Sequence, residues 1–330
     1  MNSFFFVPLQ KKNMKIVVLE SMGIDDSLLE IFSNELLKRG HQLFVFHNRS
    51  EEFNVLKSRS KDADIILLSN IPFPDELIIE CENLKMISVG FIGIDHVGLQ
   101  SCIKRGITVC NSAGYSTNAV AELTICLAID LLRKVTELHP QTSNYGIRGT
   151  FLGEELYGKT IGIVGTGAIG SRVAELLRAF GCNIIAYSRS QKVELIEKGI
   201  KYVSFLDLIN SSDIISIHLP LSPETNRLFS EDILKKMKKG SYLINTSRAK
   251  IVDNISLADC LKTHHLSGAA VDVYETEPPI PNDYPLFNAP NIIHTPHIAY
   301  ASKQAIDKRS KIVIENVLKW IDGTPQNVCL

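Results

Sequence analysis

The chain has 330 residues, of which 45% are hydrophobic and 22% are charged, a composition that suits a globular protein with two apolar cores. The formal net charge is -1, so no general field attracts nucleic acid or an anionic membrane. The seven cysteines are scattered without a C-x-x-C pair, which favours reduced thiols in a cytosolic protein over a disulfide framework or a zinc site.

No apolar run approaches the roughly 18 residues that a membrane helix needs. Residues 1–13 hold a short apolar patch without the features of a secretory signal, and we interpret them as a loose extension. From Met14 onward, β-rich runs alternate with helical patterns, which predicts a parallel sheet covered by helices on both faces. The predicted strands of this first series cover residues 14–20, 41–46, 62–70, 84–90 and 107–111.

A long apolar-periodic helix is predicted over residues 116–135, with Ser116 as its candidate N-cap, and it marks the crossing into a second series. The final helix, predicted over residues 302–323, is expected to return to the first domain, which is then discontinuous. The predicted strands of the second series cover residues 159–165, 183–189, 201–204, 213–220, 241–247, 266–274 and 291–297.

The sequence GTGAIG over residues 165–170 matches the G-x-G-x-x-G pattern, closes a predicted strand and opens a predicted helix. The first glycine permits a tight turn, the second lets the backbone approach a pyrophosphate, and the third lets helix and strand pack closely. The free N–H groups of the helix N-terminus favour an anion, so a dinucleotide site is a better interpretation than a glycine-rich turn that binds nothing. The expected cofactor contacts of this loop are those of Gly165, Gly167, Ala168, Ile169 and Gly170.

These observations predict two doubly wound parallel-sheet α/β domains. A Rossmann dinucleotide-binding domain over residues 113–298 is expected to be inserted into a flavodoxin-like substrate domain over residues 14–112 and 299–330.

The end of the strand after the glycine loop indicates which dinucleotide fits. An NAD enzyme usually carries Asp or Glu there, which accepts a hydrogen bond from the ribose 2′-OH. This chain has Ser188, Arg189 and Ser190 instead. An arginine and two hydroxyls suit a 2′-phosphate, so NADP(H) is favoured. NAD(H) stays open, because an NAD enzyme can lack the acid and leave the arginine solvated.

Six segments resemble, in order and spacing, the D-isomer-specific 2-hydroxyacid dehydrogenase family, most of all its glyoxylate and hydroxypyruvate reductases. The resemblance runs from about residue 14 to the C-terminus, and it implies two domains with a cleft between them and usually a homodimer. The segments are GYSTNAVAELT (114–124), LYGKTIGIVGTGAIGSRVA (156–174), SIHLPLSPETNRLF (216–229), LINTSRAKIVD (243–253), AAVDVYETEP (269–278) and NIIHTPHIAYAS (291–302).

The resemblance implies that Arg248, Glu277 and His297 interconvert a 2-oxo acid and a D-2-hydroxy acid. An arginine can hold a carboxylate and polarise a carbonyl. An imidazole can give and take the proton, because its ordinary pKa lies near neutrality. The glutamate would hold the imidazole through a hydrogen bond. His294 lies outside the P-H-I-A motif, and we interpret it as a strand residue.

The resemblance also implies further contacts. The substrate carboxylate would meet backbone N–H groups of Gly90, Phe91, Ile92 and Gly93, although an ordinary strand-to-helix turn is an alternative there. No metal site is suggested, since the histidines and carboxylates lack ligand spacing. The residues expected to line the cofactor are His218, Leu219, Pro220, Thr225, Thr246, Asp272, His297 and Ala299.

Two other functions share this fold. Formate dehydrogenases do without acid–base chemistry, and the paired Glu277 and His297 argue against that branch. Dinucleotide-sensing regulators keep the same triad, but the neutral charge and the lack of tails favour an enzyme.

The substrate itself is expected to carry an uncharged side group, as in glyoxylate, hydroxypyruvate, pyruvate or a small branched 2-oxo acid. Family members that act on 3-phosphoglycerate carry an arginine after the third strand, where this chain has Leu68, followed by Ser69 and Asn70. A phosphate without a partner there would lose its hydration at a high cost. Arg49 or Arg105 could instead enter the cleft and meet such a phosphate.

Overall fold

A computed structural model describes residues 13–143, 146–147, 149–276 and 279–330. The chain divides into two compact units. Unit 1 comprises the residues up to Tyr115 together with Ser302–Leu330, and unit 2 comprises Ser116–Ala301. These divisions fall slightly later in the chain than the boundaries expected from the sequence.

Twelve strands form within the described residues, and each lies inside one of the twelve predicted runs, although every strand is at least two residues shorter than its run. The strands are β1 (Lys15–Val18), β2 (Gln42–Val45), β3 (Ile65–Leu68), β4 (Met86–Val89), β5 (Thr108–Cys110), β6 (Thr160–Val164), β7 (Asn183–Tyr187), β8 (Lys201–Tyr202), β9 (Ile214–Ile217), β10 (Tyr242–Asn245), β11 (Gly268–Val271) and β12 (Ile292–His294).

Among the described residues, α-helices separate all consecutive strands except β11 and β12, between which a 3-10 turn forms at Pro285–Asn288. The α-helices are α1 (Asp26–Lys38), α2 (Phe53–Ser60), α3 (Asp75–Ile79), α4 (Leu99–Arg105), α5 (Thr117–Arg133), α6 (Val135–Ser143), α7 (Ala168–Ala179), α8 (Val193–Glu197), α9 (Phe205–Ser211), α10 (Glu231–Lys236), α11 (Asn254–Lys262) and α12 (Lys303–Ile321).

The sheet of unit 1 has five parallel strands in the order β2-β1-β3-β4-β5, which is the flavodoxin-like order. All four residues of β3 are buried, because alternate side chains enter two different cores. Ile66 and Leu68 belong to the core on one face, whereas Ile65 and Leu67 belong to the core on the other. The apolar run IILL therefore reads as a central strand covered on both sides.

Helix α12 belongs to unit 1 although it lies at the end of the chain. Its Val313 and Trp320 join the core beneath β3, and the Ser88 hydroxyl of β4 donates to the Val313 carbonyl at 3.0 Å. The Asn316 amide donates to the Asn111 carbonyl at 2.9 Å. Unit 1 is therefore built from two separate stretches of sequence.

The sheet of unit 2 has seven parallel strands in the order β12-β11-β10-β9-β6-β7-β8, a Rossmann arrangement with one added strand. The order reverses between β6 and β9, and open parallel sheets bind ligands at the carboxyl ends of the strands beside such a reversal. Helix α5 packs against α7 and β11. Ser116 occupies its N-cap position, but the side chain forms no capping hydrogen bond.

Within the described ranges, no helix is both long enough and apolar enough to cross a membrane.

Candidate active site

The glycine loop connects β6 to α7, and two of its glycines are required by close packing. Gly165 has φ +97°, and a Cβ there would lie 2.4 Å from the carbonyl oxygen of His218. A Cβ at Gly170 would lie 2.0 Å from the carbonyl oxygen of Gly165. Any side chain at either position would push the loop away from β9 or from its own helix.

The middle glycine faces open space. Gly167 is the N-cap of α7, and a Cβ there would meet no atom within 4 Å. The first N–H groups of a helix have no partner inside the helix, and they carry its positive end. The opening beside Gly167, Ala168 and Ile169 therefore fits the pyrophosphate of a dinucleotide.

The end of β7 carries no carboxylate. Ser188 is half-buried, whereas Arg189 and Ser190 are exposed. The hydrogen bonds from the Ser222 hydroxyl and from a backbone N–H lower the pKa of Glu224. The positive charge of Arg189 lowers this pKa further. The segment after β7 is therefore accessible and cationic at its tip.

His218 follows β9 and borders the glycine loop. The backbone N–H of His218 donates to the Val164 carbonyl at 2.8 Å, and Nε2 of its ring lies 2.8 Å from the Ser216 hydroxyl. The half-buried ring loses hydration, and this burial lowers the pKa of His218 to about 3, so that the imidazole is neutral. The ring can therefore line a cofactor site without adding charge to it.

The loop after His218 is held by the hydroxyl of Thr225. This hydroxyl donates to the Pro220 carbonyl at 2.7 Å and accepts from the Ser222 N–H at 2.8 Å. Leu219 is half-buried and Pro220 is exposed. The hydrogen bonds of Thr225 stay within the loop, so the residue shapes the loop that carries Leu219 and Pro220.

Arg248 follows β10 and is fixed through its neighbours. The amide of Asn245 is buried, donates to the Arg248 carbonyl at 3.0 Å and accepts from the Ser247 N–H at 3.0 Å. The Ser247 hydroxyl donates to the Ile217 carbonyl of β9 at 2.6 Å, and Nη1 of Arg248 donates to the Ser247 carbonyl at 2.8 Å. The half-buried Thr246 hydroxyl lies 3.5 Å from that of Thr124.

Asp272 follows β11, and its carboxylate organises the segment that carries His297. The side chain is 0% exposed. One oxygen accepts from the Thr295 hydroxyl at 2.6 Å and from the Ile298 N–H at 2.9 Å, and the other accepts from the Ala299 N–H at 2.8 Å. The sequence predicts that Asp272 contacts the cofactor, but it does not predict these hydrogen bonds within the protein.

His297 occupies a backbone conformation that non-glycine residues rarely adopt. Its φ is +53°, and its N–H donates to the Thr295 carbonyl at 2.9 Å. The half-buried ring meets the ring of Tyr300 edge-on, with the centroids 5.4 Å apart. The hydrogen bonds to Asp272 on both sides maintain this turn, and local strain of this kind is common at functional sites.

His294 ends β12 and is a strand residue, as predicted. Its ring stacks on Tyr274, and its Nδ1 lies 3.3 Å from the Tyr274 hydroxyl, which also donates to the Thr295 carbonyl at 3.2 Å. Burial lowers the pKa of His294. His294 therefore has a neutral ring, and it supports the turn at His297 through Tyr274.

Because β6, β9, β10, β11 and β12 are neighbours in one parallel sheet, their carboxyl ends form one edge of unit 2. This edge carries the glycine loop, His218, Arg248, Asp272 and His297. Glu277 lies outside the described residues.

In unit 1, the segment Gly90–Gly93 follows β4. The Gly90 N–H donates to the Leu68 carbonyl at 2.7 Å, so this group is not available to a substrate. The Phe91 carbonyl accepts from the Ser112 N–H at 3.0 Å, and the Ile92 carbonyl accepts from the Asn111 amide at 2.8 Å. Among the described residues, the N–H groups of Ile92 and Gly93 have no acceptor.

Arg49 and Arg105 are the two arginines that could bind the phosphate of a phosphorylated substrate. Arg49 follows β2, and its guanidinium reaches the residues after β3. Its Nη1 donates to the Glu20 carboxylate and to the Asn70 amide oxygen, each at 2.7 Å, and its Nη2 donates to Glu51 at 2.6 Å. The guanidinium of Arg105 donates to backbone carbonyls between α3 and β4, and its Nη2 lies 2.7 Å from the Cys81 carbonyl oxygen. Both guanidinium groups are therefore already engaged.

The family model for the D-isomer specific 2-hydroxyacid dehydrogenase NAD binding domain matches residues 125–299. The chain belongs to this family. A glyoxylate reductase of Thermofilum pendens is 38% identical over 272 residues, which cover 80% of each chain. A D-3-phosphoglycerate dehydrogenase of Archaeoglobus fulgidus is 33% identical over 314 residues, which cover 94% of this chain and 58% of that protein.

Solved structures of similar proteins hold either nicotinamide cofactor. An acyclic imino acid reductase in complex with NADPH and D-Arg has a TM-score of 0.87 and 29% identity, covering 96% of this chain and 100% of that one. A D-lactate dehydrogenase of Aquifex aeolicus, with NAD and lactic acid, has a TM-score of 0.82 and 30% identity, covering 93% and 96%. Unit 2 is thus the NAD-binding domain of an oxidoreductase, and its fold is the Rossmann fold.

The buried carboxylate of Asp272 generates the first prediction. An Asp272→Asn change would turn an amide NH₂ toward N–H or O–H donors, and this should lower the free energy of unfolding by about 1–3 kcal/mol. Hydrogen exchange at the Ile298 and Ala299 amides should become faster than in the unchanged protein. The matched control is Asp259→Asn, since the Asp259 side chain is 67% exposed. Unchanged exchange at both amides would contradict the assigned role.

Proposed function

We propose that the protein reduces a small 2-oxo acid to a D-2-hydroxy acid, and can run the reverse reaction, with Arg248 and His297 as its catalytic residues. The observation that carries this proposal is their position on the same sheet edge as the glycine loop, each held by buried polar neighbours. Parallel α/β sheets bind their ligands at this edge. Membership of the 2-hydroxyacid dehydrogenase family supports the reaction class.

A bound nicotinamide cofactor would supply the hydride in reduction and accept it in oxidation. The opening at Gly167 and the N-terminus of α7 fit its pyrophosphate. The exposed Arg189 and the hydroxyls of Ser188 and Ser190 would hold a 2′-phosphate, so NADP(H) is the proposed cofactor.

Arg248 would bind the substrate carboxylate and direct an N–H at the carbonyl oxygen. A guanidinium can do both because its donors form a planar fork. Its backbone is held by Asn245 and Ser247, which limits the freedom of the side chain's base. Holding the reacting group in one orientation lowers the entropic part of the barrier.

His297 would give a proton to the carbonyl oxygen during reduction and take it back during oxidation. Glu277 would accept a hydrogen bond from the imidazole and stabilise its charged form. The Asp272 carboxylate would act through the backbone as a positioning group, since its partners flank His297 on both sides.

We further propose a homodimer in the cytoplasm. The segment between α5 and β6 exposes large apolar side chains, among them Ile147 at 87% and Leu152 at 81%, which a second copy could cover. All seven cysteines are free, as a reducing compartment would keep them. We expect light scattering to give about twice the chain mass, and a Leu152→Glu variant to shift toward the chain mass. A monomeric unchanged protein would refute the dimer.

The catalytic assignment predicts distinct effects for the two residues. His297→Ala should lower kcat by about 10²–10⁴-fold and leave cofactor binding nearly intact. Arg248→Ala should lower kcat and raise KM, because carboxylate binding is lost as well. The assay follows loss of NADPH or NADH absorbance with glyoxylate, hydroxypyruvate and pyruvate. The control is His264→Ala, because His264 is exposed and shares a positive φ of +54°. Full turnover by the His297 variant would reject the assignment.

We propose that the side group of the substrate is uncharged. A phosphate at the end of β3 would have to compete for Arg49 with Glu20, whose carboxylate is 3% exposed and also accepts from the Ser69 and Ile71 N–H groups. Breaking such an arrangement leaves a buried charge without its partner. We therefore expect 3-phosphohydroxypyruvate to have a lower kcat/KM than hydroxypyruvate.

A variant can test the role of Arg49 directly. Glu51→Gln removes the exposed carboxylate from Arg49 and should raise kcat/KM for 3-phosphohydroxypyruvate relative to hydroxypyruvate, by up to about tenfold. Glu80→Gln, which breaks the ion pair with Lys57, is the matched control. The substrate proposal is wrong if the unchanged enzyme prefers the phosphorylated compound.

A further inference from the structure

We infer that Lys192 is a second cation of the 2′-phosphate site and a determinant of cofactor choice, an inference that rests on the proposed use of NADP(H). Lys192 lies just before α8, beyond the serine–arginine–serine segment from which the cofactor preference was predicted. Its Nζ donates to the hydroxyl of Ser171 at 3.0 Å. Ser171 lies in the first turn of α7, so the ammonium group lies beside the glycine loop.

A chain of hydrogen bonds holds this lysine in place. The Ser171 hydroxyl accepts from Lys192 and donates to the Thr166 carbonyl at 3.0 Å. The Tyr202 hydroxyl accepts from the Lys192 N–H at 3.1 Å and donates to the Thr166 hydroxyl at 2.9 Å. Thr166 is the middle residue of G-T-G and is buried. Backbone and side chain of Lys192 are therefore both tied to the glycine loop.

The charge of Lys192 is not matched by an acid. No carboxylate of the described residues forms an ion pair with Lys192, whereas the nearby Lys198 pairs with Glu175. The charge of Arg189, which also follows β7, acts on the carboxylate of Glu224. A cation held on a hydroxyl beside an opening is suited to bind an anion, since a phosphate oxygen can join its remaining donors.

The charge of the ligand favours more than one cation at its site. A phosphate monoester carries close to two negative charges at neutral pH, because its second pKa is about 6. Arg189 supplies one positive charge and is exposed, where water screens it. The half-buried Lys192 supplies a second charge whose attraction is screened less. The two cations together would distinguish a ribose 2′-phosphate from a ribose hydroxyl.

The experiment measures binding by calorimetry with the full chain and two fragments, adenosine 2′,5′-bisphosphate and adenosine 5′-monophosphate. The unchanged protein should bind the bisphosphate more tightly. Lys192→Gln should weaken binding of the bisphosphate by at least about tenfold and binding of the monophosphate by less than about twofold. Lys192→Arg should restore most of the preference. Lys198→Gln, which removes the same charge from the neighbouring segment, should leave both affinities unchanged.

Other outcomes have separate meanings. If Lys192→Gln weakens both fragments equally, the lysine only supports the glycine loop, and the inference is overturned. It is also overturned if the variant keeps the full preference for the bisphosphate, while the proposed use of NADP(H) stands. If the unchanged protein binds both fragments equally, the inference and the cofactor preference fail together, but the proposed reaction of Arg248 and His297 is untouched.

Discussion

The candidate site depends on one buried carboxylate. An ion without water must find its hydrogen bonds inside the protein, and Asp272 finds them in the Thr295 hydroxyl and in the N–H groups of Ile298 and Ala299. Those donors flank His297, so the bonds that satisfy the carboxylate also hold the turn in which that histidine has a positive φ. The cost of burying the charge and the strain of the turn are thus offset by the same set of bonds.

The strand order gives this turn its setting. Each strand end at the edge of unit 2 is fixed by its neighbour: Asp272 donates its N–H to the Asn245 carbonyl, and Ser247 donates its hydroxyl to the Ile217 carbonyl. At the reversal, the absence of a side chain at Gly165 lets the backbone approach His218. A displacement of one strand end would therefore pass to the next, because the ends are joined by polar bonds and by close packing.

Much of this arrangement could be predicted from the sequence, because it follows from local patterns. Buried parallel strands are continuous apolar runs, and the three glycines lie between a predicted strand and a predicted helix, the context in which their spacing indicates a dinucleotide site. What could not be predicted depends on partners distant in sequence. The Gly90 N–H is lost to Leu68, and Asp272 is engaged with residues more than twenty positions away. The Tyr202 hydroxyl that holds Lys192 lies on an edge strand of two residues, which carries almost no periodic pattern.

The cations of the two units differ in how they are matched, and this difference bears on what each unit can bind. Arg49 at the strand ends of unit 1 already has two carboxylates, one of them buried, so an added anion would have to displace an existing partner. Lys192 in unit 2 is held by a hydroxyl, which orients the ammonium without neutralising it. A doubly charged phosphate gains more from the second arrangement, because no ion pair must be broken first. The pattern of acids around the cations thus supports the proposed phosphorylated cofactor and the proposed uncharged side group of the substrate.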